Sequence, residues 1–251
     1  MYGSRRWVRR GPGELLGCDM KKFLAAASVA ALVIGAASSA NAAITMSYTV
    51  ANQLYDVDSG QILEDFDGVD SALTTYSGNL RGPFDSVYNV SDSAPPPYTG
   101  PGSIEACCQD GENYDADPTR YGSVQADQSF TFSTIAGYAL TSFSFYIGSP
   151  DEYNRLTFNL LDGTSKTFSG HEIWGGPVFN GDRTAGYRVY YDFGGAKVTS
   201  ISFESIGANA FEFDGLAGSV AAIPEPATWA MMIMGFGAAG TMLRSRRRAF
   251  A

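Results

Sequence analysis

Residues 142–168 read SFSFYIGSPDEYNRLTFNLLDGTSKTF. In the first six, Phe143, Phe145 and Ile147 alternate with Ser142, Ser144 and Tyr146. In LTFNLL (156–161), Leu156, Phe158 and Leu160 repeat the pattern. A period of two places alternate side chains on opposite faces of a strand. Asp162-Gly163 then marks a tight hairpin turn into a further strand at 165–168. No 12-residue window between 43 and 223 carries a helical period.

The alternation continues on both sides of this stretch. SFTFSTI (129–135) precedes it, and YRVYYDF (187–193), KVTSISFE (197–204) and AFEFDGLA (210–217) follow. Earlier strands are expected at ITMSYTV (44–50) and around Ile62–Phe66. This many short strands joined by Gly/Asp turns predict an all-β domain over 43–223, an antiparallel β-sandwich of jelly-roll type. Thirteen Phe and thirteen Tyr in that span supply its core. Residues 85–122 break the pattern with Pro95-Pro96-Pro97, Pro101-Gly102 and Asp117-Pro118, and they predict one long loop.

Charge divides the chain as sharply as periodicity does. Of 26 acidic residues 23 lie in 43–223, beside only 7 of the 17 basic ones, so the middle carries −16 and the two ends together +7. An acidic domain of this kind does not neutralise phosphates, which excludes nucleic acid as a partner. A single His excludes a multi-His metal centre.

Each basic end has the grammar of a targeting segment. From Met20, Lys21 and Lys22 precede an apolar run from Phe23 to Ala37, and Ala40-Asn41-Ala42 offers a small-x-small site that cuts before Ala43. These are the three parts of a secretion signal, so 20–42 is expected to be a signal peptide removed by signal peptidase. Residues 1–19 lie upstream of it and read as an over-extended start. At the other end, Pro224-Glu225-Pro226 precedes an uncharged stretch at 228–243 and then Arg244, Arg246, Arg247 and Arg248. That order describes a short membrane helix with a basic, cytoplasmic stop, below the usual length of about 20 residues for a span.

Residues 224–251 resemble the PEP-CTERM sorting domain of Gram-negative bacteria, also labelled an ice-binding protein C-terminal domain, a label that concerns the tail alone. The matching positions are Pro224, Glu225, Pro226, Trp229, Ala230, Met231, Met232, Gly235, Phe236, Gly237, Gly240 and the arginine cluster. The resemblance implies exosortase as a partner, transient anchoring in the inner membrane, and delivery to the outer surface or extracellular matrix. GSPDEYNRLTF (148–158) and AFEFDGLA are similar to passengers of other PEP-CTERM surface proteins. Those passengers resemble carbohydrate-binding modules, which implies an exopolysaccharide ligand.

Candidates for chemistry inside the passenger are few. His171-Glu172 has the start of a zincin motif, but residue 175 is Gly, and no catalytic residues are assigned. A secreted hydrolase is the alternative class and would need two converging carboxylates, or His171 converging with a serine and an acid. Asp56, Asp58, Glu64, Asp65, Asp67 and Asp70, together with Glu212 and Asp214, are the candidate ligands for a structural Ca²⁺; a solvated acidic face is the competing reading. Tyr98, Tyr114, Tyr121 and Trp174 lie in Gly/Pro-rich surroundings, where they either form a platform for sugar rings or pack the loops down. The adjacent Cys107 and Cys108 enter an oxidising compartment, where a bond to each other, a bond between chains and free thiols are all open to them.

Overall fold

The computed structural model describes residues 43–55, 60–84, 92–109, 111–178, 180–184, 186–223 and 226–249. The signal segment, including Ala40 and Ala42, lies outside them, as do Asp56, Asp58, Pro224 and Glu225. Ala43 is described and exposed.

The chain is antiparallel β with one C-terminal helix. In order the strands are β1 (Thr45–Ala51), β2 (Gln61–Glu64), β3 (Thr74–Gly78), β4 (Arg81–Phe84), β5 (Ile104–Gln109), β6 (Glu112–Ala116), β7 (Tyr121–Val124), β8 (Gln128–Thr134) and β9 (Tyr138–Gly148). They continue as β10 (Asn154–Leu160), β11 (Ser165–Ser169), β12 (Gly186–Asp192), β13 (Val198–Ser205) and β14 (Phe211–Ala222), followed by α1 (Pro226–Ala249). Ten of them form one sheet whose main path is β11-β10-β13-β9-β14-β7-β4; β12 and then β1 extend from β9, and β2 pairs with β14. Two short ladders, β3-β8 and β5-β6, complete the set.

Curling of this sheet follows from how β9 is used. Along one edge it pairs with β14 from Tyr138 to Ile147. Along the other it pairs with β12 from Ser142 to Gly148, and with β13 only through Val198↔Leu140. That single pair is the corner where the sheet turns back on itself. Beyond it, Phe158 of β10 meets Phe143 of β9 edge-on at 6.3 Å and Tyr191 of β12 at 4.7 Å. Phe203 of β13 meets Phe145 of β9 at 5.4 Å and stacks on Phe213 of β14 at 4.3 Å. Strands distant along the hydrogen-bonded path thus touch through their faces.

The alternation in 142–168 has the predicted outcome. Phe143, Phe145, Ile147, Leu156 and Phe158 are fully buried in one aromatic core. Asp162 shapes the hairpin by accepting hydrogen bonds from Thr164 N–H at 2.9 Å and Thr164 Oγ1 at 2.7 Å. Its loop spans 161–164, longer than a two-residue turn.

Residues 85–122 correct an expectation. Residues 104–109 and 112–116 form the β5-β6 ladder, and β7 begins at Tyr121, so the stretch is not one long loop. The prolines sit as expected outside the named strands, at 95–97, 101 and 118. β5-β6 carries little apolar period: Glu105, Cys107, Glu112, Asn113 and Asp115 are exposed.

Phe203 also contacts Phe130, Phe143 and Phe211. Phe203→Ala is expected to cost about 3–5 kcal/mol of stability, read as a lower urea midpoint. Tyr76→Ala, at an exposed position, is expected to move the midpoint little.

Candidate functional site: a buried polar layer, a carboxyl-lined pocket and the C-terminal tail

The second face of β9 points away from the aromatic core. Tyr146 is paired in register with Arg188 of β12 and with Asp214 of β14, so these three form one row across the sheet. Glu212 shares their face, two residues before Asp214. All four are buried. Connecting segments cover them: 52–55, the proline run at 95–97 and residues 116–119.

Close approach of the proline run depends on paired glycines. Gly148 and Gly186 are opposite each other in the β9-β12 ladder. A Cβ on Gly148 would come within 2.6 Å of Pro96 Cα, and one on Gly186 within 2.2 Å of the Pro97 carbonyl oxygen. The Tyr146 hydroxyl donates to that same carbonyl. Arg188 donates to the carbonyls of Leu54 and Gly215 and, at 3.0 Å, to Ser144 Oγ. Its charge is thereby spread over acceptors that would otherwise be buried unmet.

Asp117 and Asp214 form a carboxyl pair in this layer. The Thr119 hydroxyl contacts Asp117 Oδ1 and lies 3.0 Å from Asp214 Oδ2. One hydroxyl proton cannot serve both oxygens, and each carboxyl lies close enough to the other to affect its ionisation. Asp117 Oδ2 and Asp214 Oδ1 are buried without a partner. This arrangement needs a shared proton. Burial pushes Asp117 up to about 7 and holds Asp214 well above the usual carboxyl range, a shift that the neighbouring Asp117 charge increases.

Glu212 and Asp151 belong to a small pocket beside the pair, with a cavity of about 50 Å³ that opens to solvent. Four chain segments build it. Glu212 Oε1 accepts hydrogen bonds from Ser93 Oγ at 3.3 Å and Ala94 N–H at 3.1 Å. Asp151 Oδ1 accepts from Gly181 N–H at 2.7 Å, and Ser149 Oγ donates to the Asp182 carbonyl at 2.9 Å. The Tyr153 hydroxyl donates to the Asn209 carbonyl at 2.8 Å. Arg183 lines the same pocket, and its charge is felt by both acids. Burial raises Asp151 and pushes Glu212 up to about 7. Ser149 and Asn180, at φ 46° and 48°, hold left-handed backbone unusual for non-glycine residues.

The remaining candidates separate. His171 is exposed on a single 3-10 turn, Gly170–Ile173, and Glu172 beside it accepts a hydrogen bond from Ser169 N–H as a cap. Tyr98, Tyr121 and Trp174 are buried, which favours packing over an exposed sugar platform. Trp174 stacks on Tyr187 at 4.3 Å, and the Tyr114 hydroxyl donates to the Pro95 carbonyl. Cys107 is disulfide-bonded, which removes the free-thiol state; the side chain of Cys108 lies outside the described ones.

Among the candidate calcium ligands, Asp65 accepts from the N–H groups of Asp67 and Val69, Glu64 from Phe66 N–H, and Asp67 from Arg120 N–H. Asp70 pairs with Glu64 through a backbone β-bridge. Asp214 faces Asp117, while Glu212 faces the pocket. Among the described residues no group of three or more His, Cys, Asp or Glu gathers so as to hold a metal ion.

Asp151, Arg183 and Asp117 were not singled out by sequence. Asp151 lies in the quoted GSPDEYN stretch, so a signal existed; its pairing with Glu212 across the chain depends on topology.

The pair gives a pH dependence of defined sign. Both acids are held above their unfolded values, so folding takes up protons between about pH 4 and pH 7. The stabilisation is complete below about pH 4 and is lost as pH rises through 7. Asp117→Asn is expected to flatten this fall by up to about 1.4 kcal/mol per pH unit, measured as urea midpoints from pH 4.5 to 8.

In the tail, α1 extends beyond the expected 228–243 at both ends. Trp229, Met231, Met232, Ile233, Met234, Phe236 and Met242 are exposed on it. Ideal Cβ atoms at Gly235, Gly237 and Gly240 would meet nothing within 4 Å. No helix of the described residues is long and apolar enough to cross a membrane, so the structure does not show the membrane helix expected at 228–243. No curated protein and no solved structure matches the chain. Residues 222–248 match the family described as the PEP-CTERM protein-sorting motif. The chain therefore ends in a PEP-CTERM sorting motif, which marks it as an exported protein targeted to exosortase.

Proposed function

We propose that the protein is a non-catalytic surface or extracellular-matrix component whose passenger domain binds exopolysaccharide. The observation that carries this reading is the sorting motif at 222–248, attached directly to the end of a β domain. Signal peptidase removes 20–42, the tail anchors transiently in the inner membrane, and exosortase cuts near Pro224-Glu225-Pro226. We infer that the two sides of the curled sheet, β11-β10-β13 and β12-β9-β14, act as the two layers of the expected sandwich.

One observation favours the hydrolase alternative: Asp151 and Glu212 line one pocket. Hydrogen bonds hold one oxygen of each to the backbone. This suits fixed acceptors for ligand hydroxyls as well as it suits acid–base chemistry.

Replacing Pro224-Glu225-Pro226 with three alanines is expected to leave an uncut precursor in the inner-membrane fraction. The unaltered chain is expected at the cell surface or in the medium at lower mass. Equal surface delivery of both forms, followed by fractionation and immunoblotting, would refute the sorting role.

A further inference from the structure

The pocket between the β9-β10 connection and the segment before β12 is the most completely built polar site among the described residues. Its acids come from separate places in the chain, Asp151 before β10 and Glu212 inside β14, and both are buried. Each is fixed by a backbone N–H, from Gly181 and Ala94 respectively. Glu152 N–H donates to Asn180 Oδ1 at 3.2 Å, tying the two walls together at the strained Asn180. Such a pocket is pre-formed, with polar groups held in place before any ligand arrives.

Its charges select the ligand class. Arg183 in the lining opposes a cation. Asp151 and Glu212 oppose an anion, and the domain around them is acidic. A neutral ligand with many hydroxyls is left, because each hydroxyl both donates and accepts. The carboxyl oxygens accept and the guanidinium donates. A second, more open depression shares Tyr153 and adds Arg155 and Ile206, so the lining continues past the pocket mouth.

We propose that this pocket takes the hydroxyl-bearing edge of one ring of a neutral saccharide, with Asp151, Glu212 and Arg183 meeting its hydroxyls and the chain continuing past Tyr153. The assignment rests on the reading of the passenger as a non-catalytic polysaccharide binder and names the site and ligand class for it.

The test is isothermal titration of the full chain in detergent micelles at pH 7. The probes are methyl glycosides of glucose, galactose, mannose and N-acetylglucosamine, together with dextran, alginate and spermidine. A neutral glycoside or dextran is expected to bind. Glu212→Gln and Arg183→Gln are each expected to weaken it about tenfold or more, and Lys166→Gln, on β11, to leave it unchanged. Should Glu212→Gln fail to fold by circular dichroism, the half-buried Arg183→Gln carries the comparison.

Binding of neutral sugars that is unaltered in both pocket variants overturns the pocket assignment and leaves the polysaccharide reading standing. No binding of any neutral glycan overturns both. Alginate or spermidine binding more tightly than every neutral probe overturns the ligand class. Release of reducing ends from dextran, abolished in Glu212→Gln, overturns the non-catalytic reading.

Discussion

One strand must serve two interiors. Phe143, Phe145 and Ile147 of β9 enter the aromatic core, while Ser144 and Tyr146 enter a polar layer on the opposite face. Because the period of a strand is two, a shift of one residue would exchange these environments and bury polar groups among phenylalanines. β9 pairs with three other strands, so its register is transmitted through most of the sheet. The curl at Val198↔Leu140 and the row Arg188-Tyr146-Asp214 are two consequences of that one alignment.

The polar layer is costly on its own terms. A guanidinium, three carboxyls and two tyrosines are withdrawn from water there, and each needs a partner. Arg188 finds carbonyls from Leu54 and Gly215, so the charge ties an N-terminal segment to the last strand. Asp117 and Asp214 find each other through a proton. Connectors that look unstructured by composition are therefore held by side chains of the sheet beneath them. The pocket opens at the edge of this layer, where Asp151 and Glu212 meet solvent and Arg183.

The sequence made the aromatic half of this architecture readable, because phenylalanines at every second position leave few alternatives to a half-buried strand. It did not expose β5-β6, where exposed polar residues outnumber the small buried Ala106 and Ala116 and little hydrophobic period results. Nor could it show the pocket. Glu212 looked like one of several acids near Asp214; what separates their roles is which connector lies above each. Gly148 and Gly186 were equally silent, since their meaning comes from being paired beneath prolines about fifty and ninety residues earlier in the chain.

The position of β14 has a consequence for the order of events. It is the final strand, yet it lies inside the sheet between β9 and β7, with β2 also paired to it. A chain leaving the cytoplasm N-terminus first delivers this strand last, immediately ahead of the sorting tail. The sheet can then close only once this last strand has been delivered. From Ala222 to Pro226 the chain can reach no more than about 14 Å, so the sorting motif begins within a short reach of the strand that completes the sheet.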